Sequence, residues 1–289
     1  MKATKGEKIF YIVNTLFLIF LTLLIIYPVV YVISASLSAN DAVATGKVVL
    51  LPKKTTLTAY KYVFSDKGIW RAYGNSIYYT VVGTLVCILV TICGAYPLSK
   101  PDLPGKGIIL KFVVFSMWFG AGMIPVYLNF VDLHLVGTRS AIIFGFAVDT
   151  FNFILLRNFF MSVPRSLEEA AVVDGANQFH ILTKIYIPLS TSAIATVGLF
   201  YAVAKWNGYL WSMILLKKEH LLPLQVVIKD MILKLKLDGQ QYKDVSASEL
   251  PKETIIYSSI VVSALPMMLL YPFIQKYFVK GIMVGAVKG

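Results

Sequence analysis

Apolar runs long enough to cross a lipid bilayer recur along the whole chain, and they limit the fold more than any other feature. A membrane-spanning helix needs about 20 mostly apolar residues. Six runs of this kind occur, at residues 9–35, 75–98, 107–130, 139–161, 185–216 and 254–279. Only 15% of the 289 residues are charged, whereas a soluble domain has about 25%. The sequence therefore predicts an all-α polytopic membrane protein with six transmembrane helices.

The first run follows a charged stretch, MKATKGEK, that is similar to the start of a signal peptide. The run is much longer than the apolar part of a signal peptide, so we expect a retained helix. With six spans both termini lie on one side, and cytoplasmic segments usually carry more Lys and Arg. If the termini are inside, the inner segments hold 12 Lys and Arg and the outer ones 14. This count does not decide the orientation, although three lysines before the first run favour termini inside.

The predicted outer segments have an unusual charge. They contain fourteen Lys and Arg against nine Asp and Glu, which is a net charge of +5. Ordinary solvated loops, or lysines that contact anionic headgroups, account for this equally well. An acidic cargo or an acidic partner surface is the functional alternative.

A short charged stretch between the fourth and fifth runs has the pattern of two helices joined by a turn. Ser166 and Glu169 have the spacing of a capping box at the start of the first helix. Gly175 is suited to end this helix because glycine adopts the left-handed conformation easily. Asn177 or Gln178 then begins the second helix. A rigid helical projection of this kind is suited to docking on a partner.

Polar residues within the predicted spans are candidates for a substrate path, since such residues are costly in a membrane. They are Asp149, Asn152, Lys205, Trp206 and Asn207. Asp149 and Lys205 lie at a similar depth, about 15 Å from the outer surface if both helices are continuous. We expect them either to pair or to line the same water-filled path, unless each has unrelated polar neighbours.

Other chemistry finds little support in the sequence. Cys87 and Cys93 lie within the second run, where we expect two buried thiols and no disulfide. The histidines, at 134, 180 and 220, fall in three different connections, so no metal site is expected. The chain has no phosphate-binding G-x-x-x-x-G-K-[ST] motif and no cluster of catalytic groups. It is predicted neither to bind ATP nor to be an enzyme.

One motif resembles a known family. Glu169-Ala170-Ala171, then Asp174-Gly175-Ala176, then Ile187-Pro188 resemble the EAA signature of ABC importer permeases. Further segments resemble the maltose-permease G-type subunits of carbohydrate importers, and among these the subgroup that moves polysaccharide fragments. These segments are NSIYYTVVGT, AYPLSK, MIPVYL, LVGTRSAII, LLRNFF, KWNGYL and QKYFVKGIMVGAVKG.

The resemblance implies a type I ABC importer permease fold with a cytoplasmic coupling helix. Its ATPase-coupling residues are Glu168, Glu169, Ala170, Ala171, Asp174 and Gly175. By this resemblance Glu169 would be the acidic contact for an arginine of the ATPase. The implied domains are an N-terminal helix and external loop at 1–72, a permease core at 73–280 with its coupling loop at 164–188, and a cytoplasmic tail at 281–289.

The implied function is import of an oligosaccharide across the cell membrane, and an acidic fragment of a polysaccharide is the finer expectation. Expected partners are a second permease subunit in a heterodimer, two cytoplasmic ATPase subunits that bind ATP and Mg, an extracellular solute-binding protein, and the bilayer. No nucleic acid is expected, and both termini are cytoplasmic. The alternative is an ion-coupled secondary transporter, which typically has an internal repeat and interrupted helices. The chain shows no convincing repeat, and Asp149 is the one clear acid within a predicted span.

Overall fold

The computed structural model describes residues 4–241 and 251–286, and every regular element in these residues is helical. The α-helices are α1 Lys5–Ser36, α2 Asn40–Ala44, α3 Thr58–Ser65, α4 Lys67–Ser99, α5 Lys106–Trp118, α6 Met123–Asp132, α7 Arg139–Phe144, α8 Thr150–Met161, α9 Arg165–Val173, α10 Gln178–Ile181, α11 Ile187–Leu189, α12 Thr191–Trp206, α13 Leu210–Leu215, α14 Leu224–Gln241 and α15 Lys252–Ala286. A π-helix, Leu182–Tyr186, and a 3₁₀ turn, Glu219–Leu221, complete them.

The predicted spans are only partly continuous. Three are single helices of sufficient length: Gly6–Ser36, Lys67–Ser99 and Lys252–Leu270. Two others correspond to bent pairs, α5 with α6 at 118°, and Gln178–Leu189 with α12 at 82°. By length and composition the described residues contain three spans, or up to five if each bent pair crosses once. The predicted count of six is not confirmed.

The fourth predicted span, 139–161, is wrong as a continuous helix. α7 ends at Phe144, and α8 begins at Thr150. Phe146 between them has a φ of +57°, a conformation that non-glycine residues rarely adopt. Asp149 caps α8 by accepting a hydrogen bond from the backbone N–H of Asn152, at 2.9 Å. The apolar composition of the run hides this break because hydropathy reports burial in lipid, not backbone geometry.

The chain divides into two compact units, Met1–Ile69 with Ile228–Leu265, and Trp70–Val227 with Pro266–Gly289. In the first unit, Thr4 and Glu7 form a capping box at the start of α1. Most apolar side chains of α1 are exposed, and its membrane-spanning window is 0% buried. Such a helix needs lipid or another membrane chain around it. The predicted division at residue 72 stays a prediction.

The second unit has two apolar cores along α4. One joins α4 to α8, α12 and the segment from α10 to α11, around Leu156, Phe160, Ile181 and Val197. The other joins α4 to α6, α7 and α13. Cys87 belongs to the first core, but Cys93 is exposed, so the expectation that both cysteines are buried is wrong. Six residues along a helix turn through about 600°, which puts the two thiols on different faces.

Candidate functional site

The charged stretch between α8 and α12 forms the predicted pair of helices. α9 ends with a Schellman motif, in which the N–H of Gly175 bonds the carbonyl of Val172 and that of Ala176 bonds Ala171, at 3.0 and 2.9 Å. Gly175 has a φ of +80°. Asn177 then caps α10 by accepting from the N–H of His180 at 2.8 Å. The predictions for the turn and for the second helix start are confirmed.

The predicted capping box of Ser166 and Glu169 is wrong. The N-cap of α9 is Pro164, and no side chain caps this helix. Because α9 begins at Arg165, Ser166 is its second residue and Glu169 its fifth. A capping box needs these side chains at the N-cap and at the third helical position. The two residues therefore lie too far into the helix to reach its free N–H groups.

Glu168, not Glu169, connects α9 to the rest of the second unit. Its Oε2 lies 2.6 Å from Nζ of Lys100, directly after α4, and accepts a hydrogen bond of 2.7 Å from the hydroxyl of Tyr186. The Lys100 ammonium also lies over the rings of Tyr96 and Tyr186, at 4.3 and 4.0 Å from their centroids. We call Tyr96, Lys100, Glu168 and Tyr186 the anchor cluster. It joins α9 to the end of α4 and to the π-helix before α12.

Burial and charge act in opposite directions within the anchor cluster. Burial by itself raises the pKa of Glu168, but the ion pair with Lys100 and the hydrogen bond from Tyr186 together outweigh it, and the pKa lies below its ordinary value. Burial lowers the pKa of Lys100 by more than the carboxylate raises it. The side chains of this ion pair are 18% and 19% exposed. The pair is therefore largely shielded from the solvent that weakens surface ion pairs.

The remaining coupling candidates lie on the outer surface of α9 and its turn. Glu169, Ala170, Asp174 and Gly175 are exposed, while Ala171 is half-buried against the first core. Glu169 lines a groove of about 370 Å³, which Arg165, Asp102, Val172 and Val173 also line. Lys100 and Glu168 line this groove as well, so both carboxylates border it, but Glu168 is bound by the anchor cluster and Glu169 is exposed.

Gly175 offers a direct test of the turn. Replacing it by Ala is expected to lower stability by about 1–2 kcal/mol, because an L-residue strains in the left-handed region. An added Cβ meets no atom within 4 Å at Gly175 or at Gly74 in α4. Gly74→Ala is therefore a matched control, expected to stabilise its helix by up to about 1 kcal/mol. Thermal unfolding of the two variants in detergent measures both effects, and a destabilisation of equal size in both would contradict the role of φ.

Three of the five predicted path residues line one cavity. Asp149, Asn152 and Lys205 border a cavity of about 480 Å³ at the break between α7 and α8. We call it the break cavity. Trp206 is not part of it but is buried, with its ring 5.8 Å from that of Tyr73. Asn207 lines a separate pocket of about 500 Å³ together with Phe200, Met267 and other apolar residues.

Asp149 and Lys205 line the same cavity but do not form an ion pair among the described residues. Lys205 donates to the carbonyls of Ile142 and Gly145 at 2.7 and 3.0 Å, at the C-terminal end of α7. The free carbonyls at a helix end carry partial negative charge and attract cations. The pairing alternative is wrong, because the break in the fourth run supplies each charge with backbone partners instead.

Sequence reasoning missed several contacts that join distant parts of the chain. Lys100 and Tyr186 belong to this group. At the other end of α4, Asn75 donates to the carbonyls of His220 and Leu222, at 2.9 and 3.1 Å, and Tyr79 donates to that of Leu221 at 2.9 Å. The signal for the second set was a polar N-S-I-Y-Y stretch at the edge of an apolar run. These bonds hold the segment before α14 against α4.

Comparison with known proteins provides the family. No family model matches the chain. The protein LplC of Bacillus subtilis is 38% identical over 100% of this chain and 98% of its own. The polygalacturonan/rhamnogalacturonan transport system permease protein YtcP of the same organism is 40% identical over 94% of this chain and 96% of its own. A chain from the crystal structure of a bacterial ABC transporter involved in alginate import is 42% identical, with a TM-score of 0.86, covering 96% of this chain and 99% of that one.

Proposed function

The chain belongs to the permease subunits of ABC importers for sugars, and we propose that partner ATPase subunits dock on α9 and drive its change of conformation. It is a multi-pass membrane protein that translocates an oligosaccharide delivered by a binding protein, and it is not an enzyme. Ion-coupled secondary transport is not favoured. A permease subunit of this class carries no cofactor of its own, so ATP and Mg belong to the partners.

The geometry of α9 supports coupling at Glu169. The carboxylate is exposed at the rim of a groove, and small residues follow it at 170 and 171. The anchor cluster holds the same helix through the adjacent Glu168, and Glu168 and Lys100 line the same groove as Glu169. A force applied at Glu169 would therefore reach α4 and α12 without first bending the helix. This arrangement is the observation that carries the proposal, and Glu169→Lys tests it.

The remaining assembly follows from the same proposal. A second permease subunit would cover part of the exposed apolar surface, two ATPases would dock at α9 and its counterpart, and both termini would be cytoplasmic. The backbone of α15 runs to Ala286. The predicted tail, 281–289, lies outside the residues whose side chains are described, so its docking on an ATPase rests on the resemblance alone.

An acidic oligosaccharide is the cargo that we propose. The chain is 42% identical to a subunit of a transporter for the acidic polysaccharide alginate, and 40% identical to a permease for polygalacturonan and rhamnogalacturonan. The net charge of +5 on the predicted outer segments agrees with this, since a positive surface attracts an acidic sugar or an acidic binding protein.

The cargo proposal predicts which sugars stimulate the assembled importer. In liposomes with its binding protein, oligogalacturonate or alginate fragments are expected to raise ATP hydrolysis, and neutral arabino-oligosaccharides to leave it at the basal rate. Raising the salt from about 50 to 200 mM is expected to weaken docking of the binding protein, because exposed charges are screened beyond about 10 Å at 0.1 M salt. Stimulation by neutral sugars alone, with salt-independent docking, would reject an acidic cargo.

A further inference from the structure

Aromatic residues make up five of the thirteen residues that line the break cavity. Its walls include Phe146, Phe151, Phe200, Tyr201 and Trp211. Its volume of about 480 Å³ falls within the range of small-molecule sites, about 300–1,000 Å³. The side chain of Phe151 is 53% exposed. We propose that this cavity binds one or two pyranose rings of the oligosaccharide during translocation, an inference that rests on the proposed function.

Two polar side chains in the cavity wall can accept further hydrogen bonds, as from sugar hydroxyls. Asn152 is 4% exposed, and its side-chain oxygen has no hydrogen-bond partner among the described residues. A buried amide without a partner costs free energy unless a ligand or water satisfies it. The carboxylate of Asp149 accepts from the N–H of Asn152 through Oδ1, and a carboxylate has further acceptor sites. Apolar ring faces beside a few polar groups match a pyranose, which has C–H faces and a rim of hydroxyls.

The charges of the cavity indicate what it recognises. Asp149 and Lys205 are the two charged residues in its wall. The Lys205 ammonium already donates to the carbonyls of Ile142 and Gly145. Its aliphatic stem packs against α4 so closely that a Cβ at Gly83 would lie 3.2 Å from it. No uncommitted cation is therefore left in the wall, and the cavity recognises the faces and hydroxyls of a sugar ring and not its acid group.

The cavity is formed before a ligand arrives, because buried groups hold the break open. The hydroxyl of Tyr201 accepts from the N–H of Asp149 at 3.0 Å and pairs with the hydroxyl of Thr91 at 2.8 Å. Lys205 holds the end of α7 on the other side of the break. A preformed site loses less free energy in ordering its own groups when it binds. The positive φ of Phe146 also supports a functional role for the break, since strained residues concentrate at functional sites.

Protection of an engineered cysteine tests the inference. Ala204 is exposed on α12 and lines both the break cavity and the pocket beside Asn207, whereas its neighbour Val203 lines only that second pocket, so protection of Ala204 without protection of Val203 reports on the break cavity. Ala204→Cys and the matched control Val203→Cys are made in a Cys93→Ser background, and Cys87 is retained because it is buried. The assembled importer is labelled with a maleimide in the presence of binding protein and a non-hydrolysable ATP analogue. Labelling is compared without sugar and with pentasaccharides of galacturonate, alginate and arabinose.

The sugar that stimulates ATP hydrolysis is expected to slow labelling at Ala204→Cys about tenfold at nine-tenths occupancy, and to leave Val203→Cys unchanged. Phe151→Cys on α8 provides a second reporter and is expected to be protected by the same sugar. If a stimulating sugar protects neither reporter, or if added lipid protects them equally without sugar, the inference is overturned while the proposed function stands. If no pentasaccharide stimulates ATP hydrolysis, the proposed function fails, and the inference fails with it.

Discussion

Replacing Glu169 by lysine is expected to abolish ATP-driven transport while the subunit still folds and inserts in the membrane. The side chain is exposed and forms no ion pair with another residue in the part of the chain that the structure describes, so reversal of its charge costs the isolated subunit little. Against an arginine of the ATPase, the same change turns attraction into repulsion. Loss of a desolvated charge pair costs about 2–5 kcal/mol, at least about 30-fold in affinity. Co-purification with the ATPase measures the loss of association, and sugar uptake measures the loss of transport.

Glu219→Lys provides the control for the change of charge. Glu219 is 87% exposed in its side chain and lies in the 3₁₀ turn before α14, with Arg71 4.0 Å away. Reversal of the charge at Glu219 is expected to leave both association with the ATPase and transport near the values of the unaltered protein. Normal association and uptake in the Glu169 variant would show that α9 does not contact the ATPase through this carboxylate.

Separating Glu168 from Lys100 is expected to destabilise the subunit and to impair transport even while the ATPase remains bound. We expect a coupling energy of about 1–3 kcal/mol in a double-mutant cycle of Glu168→Gln and Lys100→Met, since contacting residues in one network show such values. Removal of one partner leaves the other charge largely shielded from solvent and without its counter-ion. Thermal unfolding in detergent measures the stability, and ATP hydrolysis without uptake would reveal the lost connection between α9 and the spans.

The pair of Lys54 and Asp41 serves as the matched control. It has the same separation of 2.6 Å between nitrogen and oxygen, but its side chains are 72% and 59% exposed. Exposed pairs are screened by solvent and contribute little to stability, so the same cycle there is expected to give a much smaller coupling. If both cycles gave equal values, the anchor cluster would be an ordinary surface contact, and its proposed role in transmitting movement would be rejected.

Local features of the fold were predictable because their causes lie within a few residues. The turn at Gly175 was predictable because residues other than glycine rarely adopt the left-handed backbone conformation. The cap at Asn177 was predictable because its side-chain oxygen lies three positions before His180, whose N–H donates to it. The start of α9 was not predictable at the same level. Pro164 and Ser166 both suit a helix start, and a shift of the N-cap by two residues, from Ser166 to Pro164, removed the capping box in which Glu169 was expected.

The cavity could be predicted only in part. Asp149, Asn152 and Lys205 stood out because charge and amide groups are rare in apolar runs, and they do lie together. The depth argument that paired two of them assumed continuous helices, and the break at 145–149 made it wrong. The aromatic wall was hidden, since Phe151 and Phe200 are ordinary residues in a membrane helix until the fold brings them to one cavity.

The sequence by itself determined that this chain lies in a membrane, that it is helical, and that it carries a charged two-helix projection, because hydrophobic length and turn chemistry act locally along the chain. Only the tertiary structure decided which carboxylate of Glu168 and Glu169 is bound by the anchor cluster and which charges meet. Lys100 and Glu168 are 68 positions apart, and Lys205 is 63 positions from the carbonyl of Ile142. Contacts over such separations depend on how helices pack and where they break, which no local pattern encodes.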